Sequence, residues 1–354
     1  NIVLPQPDPD NTGGGSMKTH LFTLFILLFT VVSLFAFGTK EDSNRQNQVV
    51  VYTYDSFLSE WGAAPQLETL FEQQTGYDVV FIDGGDGGQL LARGLLEKDD
   101  PQADVIVGID NNQLNAARSS QIFEAYQPKD AEKNIPQELI LDKDWLLVPY
   151  DWSHFSLIYN SVSGVPCPTS LEDLTSEVYK NKIILMDPRT STPGLGFVAW
   201  TVAVFGQDYL EFWKKLKPNI LTMAPSWSTG YGLFTSGEAP LVISYTTSPA
   251  YHVEYDEGED FKTVIFDQGH VMQIEGMGLL KNSPNQQGGK AFIDFMVSLQ
   301  AQEILPLTQW MYPVNSQVKL PESYRVAKKA TKTLKVDNET LNVAVDAVME
   351  LLAY

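Results

Sequence analysis

The chain has 354 residues, a formal net charge of −20 at pH 7 and a pI near 4.5. That acidic balance argues against a nucleic-acid or anionic-membrane partner and leaves cationic or neutral ones, much of the charge serving as a solvated face. The length is too great for one small core and points to two lobes, with an ordinary hydrophobic content of 44%.

Residues 1–16 precede the first methionine and end Gly-Gly-Gly-Ser, so they are set aside as an appended or upstream segment. From Met17, Lys18, the apolar run Leu21 to Phe37 and the Ala36-Phe37-Gly38 site read as a secretory signal peptide over 17–38, cleaved after Gly38. The alternative is a retained membrane anchor, for which the run is near the lower limit of a span. Cys167 is the only cysteine, so no disulfide can form within the chain, and four scattered histidines argue against a zinc site.

After a polar tether to Asn47, Val49 to Tyr52 reads as a strand ending in Thr53-Tyr54-Asp55-Ser56. Over Pro65 to Thr75, Leu67, Leu70 and Phe71 share one helical face, and Gly76 stops the helix. A second strand, Val79 to Ile82, runs into Asp83-Gly84-Gly85-Asp86-Gly87-Gly88 and a helix carrying Leu90, Leu91, Leu95 and Leu96. Four glycines in these six residues either let backbone approach a ligand closely or make a tight turn; they fit no phosphate-cradle motif. Ala103 to Ile109 is a third strand, followed by Asp110-Asn111-Asn112 and another helix. Strands alternating with helices predict a parallel α/β sheet, with ligands beyond the carboxyl ends of the strands.

Trp145 to Asn160 is apolar and β-rich, with Val148 to Asp151 crossing into a second lobe. A helix over Ser170 to Tyr179 and a strand over Ile183 to Met186 lead to Asp187-Pro188-Arg189-Thr190-Ser191-Thr192-Pro193-Gly194. Thr192 is expected to cap a helix whose first residue is Pro193. The Ser191 and Thr192 hydroxyls then meet free amides at a positive helix end, which suits an anion or is simply a well-capped start. A helix over Tyr209 to Leu216 and a strand over Ile220 to Met223 come next. Trp227 and Tyr231 fall in a loop after that strand, and strand Pro240 to Ser244 runs into Tyr245-Thr246-Thr247-Ser248-Pro249. Strands at Thr263 to Phe266 and His270 to Leu280, a helix over Gln287 to Leu305, a basic irregular stretch to Lys335 and a final helix over Thr340 to Leu352 complete the chain.

The strand ends share one theme, aromatics beside short hydroxyls and carboxylates. Aromatic faces with carboxylates favour a flat organic cation, each cation–π contact being worth about 0.5–2 kcal/mol. Val51-Tyr52-Thr53-Tyr54-Asp55-Ser56-Phe57, Gly108-Ile109-Asp110-Asn111-Asn112, Asp187 to Gly196, Trp227-Ser228 with Tyr231-Gly232, Ser244 to His252, and Trp310-Met311-Tyr312-Pro313-Val314 resemble the periplasmic thiamine-binding proteins of ABC importers. The resemblance runs from about Gln48 to Leu334. It implies an α/β, two-lobed type II periplasmic-binding-protein fold with a hinged cleft, in which 48–150 plus 250–335 form lobe one and 151–249 lobe two; beyond Leu334 there is no match, and the C-terminal helix over 336–354 is read from periodicity alone. The resemblance also implies thiamine contacts at Asp86, Gly87, Ser191, Thr192, Trp227, Tyr245, Thr246, Thr247, Ser248 and Pro249, with Tyr54 as a further wall; binding is expected to proceed by lobe closure about hinge crossings near Tyr150 and Tyr245. In the family the serine–threonine pair holds the phosphate end. The partners it implies are thiamine and its phosphate esters and an ABC permease. It further implies a periplasmic monomer with no catalytic residue, metal or cofactor beyond the ligand.

A thiamine-cleaving enzyme of similar fold is the first alternative; it needs a cysteine nucleophile beside a carboxylate, and the sole cysteine lies in Val165-Pro166-Cys167-Pro168. A binder of iron or a polyamine is the second; a ferric site would need tyrosines converging with histidine or carboxylate ligands.

Overall fold

A computed structural model describes residues 45–353, so the upstream segment, the secretory signal and the start of the tether lie outside the described residues. In chain order, the first half contains β1 (Gln48–Thr53), α1 (Asp55–Leu58), α2 (Ala64–Thr75), β2 (Asp78–Asp83), α3 (Gly87–Leu96), β3 (Val105–Asp110), α4 (Leu114–Ser120), β4 (Phe123–Glu124), α5 (Ala131–Asn134) and β5 (Val148–Asn160). The second half contains β6 (Ile183–Met186), α6 (Thr192–Phe205), α7 (Tyr209–Leu216), β7 (Ile220–Ala224), α8 (Trp227–Thr235), β8 (Leu241–Tyr245) and α9 (Pro249–Glu254). The return segment adds β9 (Phe261–Thr263), β10 (His270–Leu280), α10 (Gln286–Met296), α11 (Leu299–Gln302), β11 (Tyr312–Pro313), β12 (Thr333–Leu334) and α12 (Asn338–Ala353).

The strands run in the order β2-β1-β3-β10-β5-β8-β6-β7. β2, β1 and β3 are parallel, as are β8, β6 and β7, in agreement with the strand–helix alternation. The two parallel sets are joined by β10 and β5, which pair antiparallel with each other and with their outer neighbours. The sheet is therefore mixed rather than wholly parallel. β5 and β10 are long enough, 13 and 11 residues, to serve both halves.

Two apolar cores sit against the two halves. The first takes Val49 to Tyr150 and Ile274 to Val314, including Phe57, Phe71 and Phe292. The second takes Phe155 to Ile243, then Val264, Phe266 and Val271 of the return segment, and Leu341, Ala344, Val345 and Val348 of α12. The stretch 250–335 thus contributes to both cores, because β9 pairs with β5 at Ile158 to Asn160. The final helix lies on α6 and α7 rather than standing apart. The chain changes cores within β5, between Tyr150 and Phe155, within β10, between Val271 and Ile274, and again between Val314 and Leu341.

Four expected elements differ, the strand expected over Thr263 to Phe266 being β9 over Phe261–Thr263. Ser170 to Tyr179 forms two short 3-10 turns, Glu172–Thr175 and Glu177–Tyr179, because Asn219 Nδ2 donates to the carbonyls of Leu174 (2.6 Å) and Ser176 (2.8 Å). The helix expected over Gln287 to Leu305 breaks after Met296. Gln302 Nε2 takes the Met296 carbonyl, Asn315 Nδ2 takes that of Val297, and Ser298 caps a new turn. Trp227 to Thr235 is a helix and not a loop, capped by Ser226, whose hydroxyl accepts from Thr229 N. Gly76 ends α2 with φ 76°, as a left-handed cap requires.

Candidate ligand-binding cleft

Strand and helix ends from both halves meet around a cavity of about 520 Å³, counting the part open to solvent. Tyr54 at the end of β1, Asp86 at the start of α3, Thr192 in α6, Trp227 in α8, and Tyr245 and Ser248 after β8 all line it. A second hollow, about 640 Å³ on the same measure, shares Trp61, Trp227, Ser248 and Trp310 with the first and adds Tyr231 and Tyr251. Aromatic faces therefore continue from the inner cavity to its mouth.

Asp86 caps α3 in a reciprocal box with Gln89, while its buried Oδ2 has no hydrogen-bond partner among the described residues. Burial, then the charges of Asp55 and Glu275, push its pKa up to about 8. The Ser191 hydroxyl is close enough to favour the carboxylate, yet it too is buried without completing a hydrogen bond. A buried carboxyl with an empty oxygen, aimed into a cavity, is a group awaiting a cationic or donor partner.

Beneath it lies Glu275 on β10, one of the cavity-lining residues, with Oε2 3.1 Å from Tyr54 Oη and 3.0 Å from Tyr150 Oη. Tyr54 Oη also lies 3.1 Å from Gln309 Oε1. Burial raises the pKa of Glu275, and that of Asp110 at the end of β3 to about 7. The charge of Glu275 raises the pKa of both Asp86 and Asp110, so this cluster of acids holds protons near neutrality that a bound cation would release.

Trp227 is held edge-on by its indole Nε1, which donates to Ser244 Oγ at 2.8 Å, and its ring stacks on Tyr231 at 4.9 Å. Tyr245 stacks on Phe155 at 5.5 Å. Ser248 Oγ lies 2.8 Å from Ser244 Oγ, so one hydroxyl pair supports both Trp227 and the turn after β8.

The remaining expected residues stand behind this lining. Thr246 and Thr247 are fully buried with their hydroxyls 3.2 Å from Ser153 Oγ, binding the turn to β5 rather than facing the cavity. Pro249 is the buried first residue of α9. Gly87 lies where the two halves approach; a Cβ there would stand 2.8 Å from Gln113 Oε1 and 3.2 Å from Thr192 Cγ2. Ser191, not Thr192, is the cap residue of α6, since Leu195 N already donates to the Ser191 carbonyl at 3.0 Å, and neither hydroxyl caps a backbone amide.

Ser56, Trp61, Glu275, Thr308, Gln309, Trp310 and Met311 line the cavity without having been singled out as site residues. The available signals were Trp310-Met311 within a recognisable motif and Glu275 as a lone carboxylate inside an apolar strand. Trp310 also adopts φ 56°, a strained conformation for a bulky residue.

Tyr245 and Tyr251 do not converge as a ferric pair would: Tyr251 packs on Trp310, and His252 beside it is hydrogen-bonded to Tyr231 Oη and Glu257. Cys167 is exposed, absent from the cavity lining, and its thiol pKa is raised by partial burial, the opposite of an activated nucleophile.

Two α/β cores exchanging chain through a pair of long strands, with an aromatic and acidic cleft between them, define a solute-binding protein. Residues 100–337 match the family described as bacterial extracellular solute-binding protein. A thiamine-binding periplasmic protein of Brucella abortus is 37% identical over 88% of this chain and 93% of its own length. The Escherichia coli protein of that name is 36% identical over 81% and 86%. A solved periplasmic thiamin binding protein superposes with a TM-score of 0.82 at 33% identity, covering 87% of this chain and 96% of that one. The chain belongs to the bacterial extracellular solute-binding proteins and, within them, to the family of periplasmic thiamine-binding proteins, transport proteins rather than enzymes. Its fold is the two-lobed periplasmic-binding-protein fold.

Proposed function

We propose that the chain captures thiamine in the periplasm and delivers it to the permease of an ABC importer. The observation that carries this reading is one cavity lined by the aromatic rings of Trp227 and Tyr245 and by the buried Asp86 carboxyl, whose Oδ2 has no hydrogen-bond partner among the described residues. Thiamine supplies two flat rings and a permanent positive charge, the complement of that set. Family membership supports the same ligand.

The lobes close about the core-changing segments of β5 and β10, and the closed form is the one a permease recognises. The mono- and diphosphate are ligands too, with the phosphate at the start of α6 beside Ser191 and Thr192. The receptor acts as a monomer. Native mass spectrometry and calorimetry of the purified chain with thiamine, its monophosphate and its diphosphate test the reading. Saturable 1:1 binding of thiamine is expected; its absence, with the fold intact by circular dichroism, rejects thiamine as the ligand.

A further inference from the structure

Successive residues of β5 and β10 face opposite sides of the sheet. Asp151 and Glu275 belong to the cleft side. Their neighbours Trp152, His154 and Met272 open on the other side into a groove of about 1250 Å³, counting the part open to solvent. Tyr312 packs on Trp152 at 4.9 Å to form an aromatic shelf, and Val318 and the 42% exposed Leu320 extend the apolar wall. His154 is held neutral, its pKa pushed down to about 4 by burial, with Nε2 2.8 Å from Thr333 Oγ1.

The rim of this groove has the opposite charge to the molecule. Lys329 and Lys335 line it, and they belong to residues 325–335, which hold Arg325, Lys328, Lys329, Lys332 and Lys335 and no acid in a chain of net charge −20. Both lining lysines are exposed and in no ion pair among the described residues. Among the described residues, Glu138 is the single acid of the lining. The apolar wall disfavours a bare inorganic anion, and the lysines favour a charged head over an uncharged one.

We propose that this groove is a second binding site, separate from the cleft, for a free amphiphilic carboxylate. The apolar body of the acid lies along Trp152, Met272 and Leu320, and its carboxylate meets Lys329 and Lys335. Both strands that make the groove are segments in which the chain changes cores.

Octanoate and octan-1-ol, titrated separately into the full chain by calorimetry, test the site. Saturable 1:1 binding of octanoate is expected, with the alcohol at least about 10-fold weaker. The double variant Lys329→Ala/Lys335→Ala should weaken octanoate about 3- to 30-fold, two exposed charge contacts being lost, and leave thiamine binding unchanged. Leu320→Glu, a change at an exposed position, should weaken octanoate by a similar factor. Trp227→Ala should leave octanoate binding intact, which keeps the groove independent of the cleft assignment. No saturable octanoate heat, equal binding of acid and alcohol, or loss of octanoate in Trp227→Ala with retention in the lysine variant overturns the proposal.

Discussion

Glu275 and Asp151 are cross-strand partners on β10 and β5, both buried, with their carboxyl groups brought together beneath the cleft. Two carboxylates at this spacing in low dielectric cannot both be ionised. The Tyr54 and Tyr150 hydroxyls donate to Glu275, whereas among the described residues Asp151 has no such donor and meets the Glu275 carboxyl alone. The charge therefore rests on Glu275 and the proton on Asp151, whose pKa stands well above the carboxylate range. Glu275 then contributes to holding Asp86 protonated near neutrality.

This arrangement gives binding a pH dependence with a definite sign. Asp86 has a pKa of about 8 in the empty protein, and a bound cation favours its ionised form. Thiamine affinity should therefore rise from pH 6 to about pH 8, with proton release on binding below that point. Calorimetry in buffers of different ionisation enthalpy measures the release. Affinity independent of pH across this window would remove Asp86 from contact with the cation.

The same carboxyl costs the empty protein stability. Asp86 and Asp110 have folded-state pKa values raised to about 8 and about 7, so between pH 4 and 8 the folded state binds more protons than the unfolded one. Stability then falls as pH rises through that window. Asp86→Asn should raise the Tm of the empty protein at pH 8 and flatten its decline from pH 5, while weakening thiamine at least about 10-fold. A lower Tm in the variant at pH 8 would contradict the burial argument.

Asp55 reaches across the cleft: its Oδ1 accepts from Ser228 Oγ at 3.2 Å and its Oδ2 lies 3.5 Å from Ser226 Oγ, joining α1 to α8. These are exposed, long contacts, worth about 0.5–1.5 kcal/mol together. Asp55→Ala should speed thiamine release about 2- to 10-fold by stopped-flow tryptophan fluorescence, with a smaller change in the association rate. An unchanged release rate would mean that the contact does not limit opening.

The sheet-forming segments were legible because they are short apolar runs set between helical spacings, as in Val49 to Tyr52 and Val79 to Ile82. The start of α6 was legible to within one residue from Thr192-Pro193. Helix α8 was hidden by Gly230 and Gly232, which lower helix propensity; its stability comes from the Ser226 cap and from burial of Tyr231 and Phe234. Glu275 and Gln309 were hidden for a different reason. Their meeting with Tyr54 joins positions 221 and 255 residues apart, and no local pattern encodes a contact of that range. Thr246 and Thr247, by contrast, were legible as a polar turn, but strand register alone determines that they face Ser153 and not the cavity.

The phosphate assignment at the start of α6 can be tested by a pair of substitutions with opposite signs. The free hydroxyl of Ser191 faces the Asp86 carboxyl, so an ester phosphate there meets a donor and, once the thiamine cation has ionised Asp86, a negative charge together. Ser191→Ala removes the donor and should weaken thiamine monophosphate about 5- to 10-fold more than free thiamine, a charged hydrogen bond being worth about 1.5–3 kcal/mol and part of that being lost to solvent contact. Asp86→Asn removes the repulsion and should shift the ratio the other way, costing free thiamine more than the monophosphate. Calorimetric affinities for both ligands against both variants give the two ratios. If the ratios move together, or if Ser191→Ala affects both ligands equally, the phosphate does not lie at the helix start and extends instead through the Trp61–Trp310 mouth into solvent.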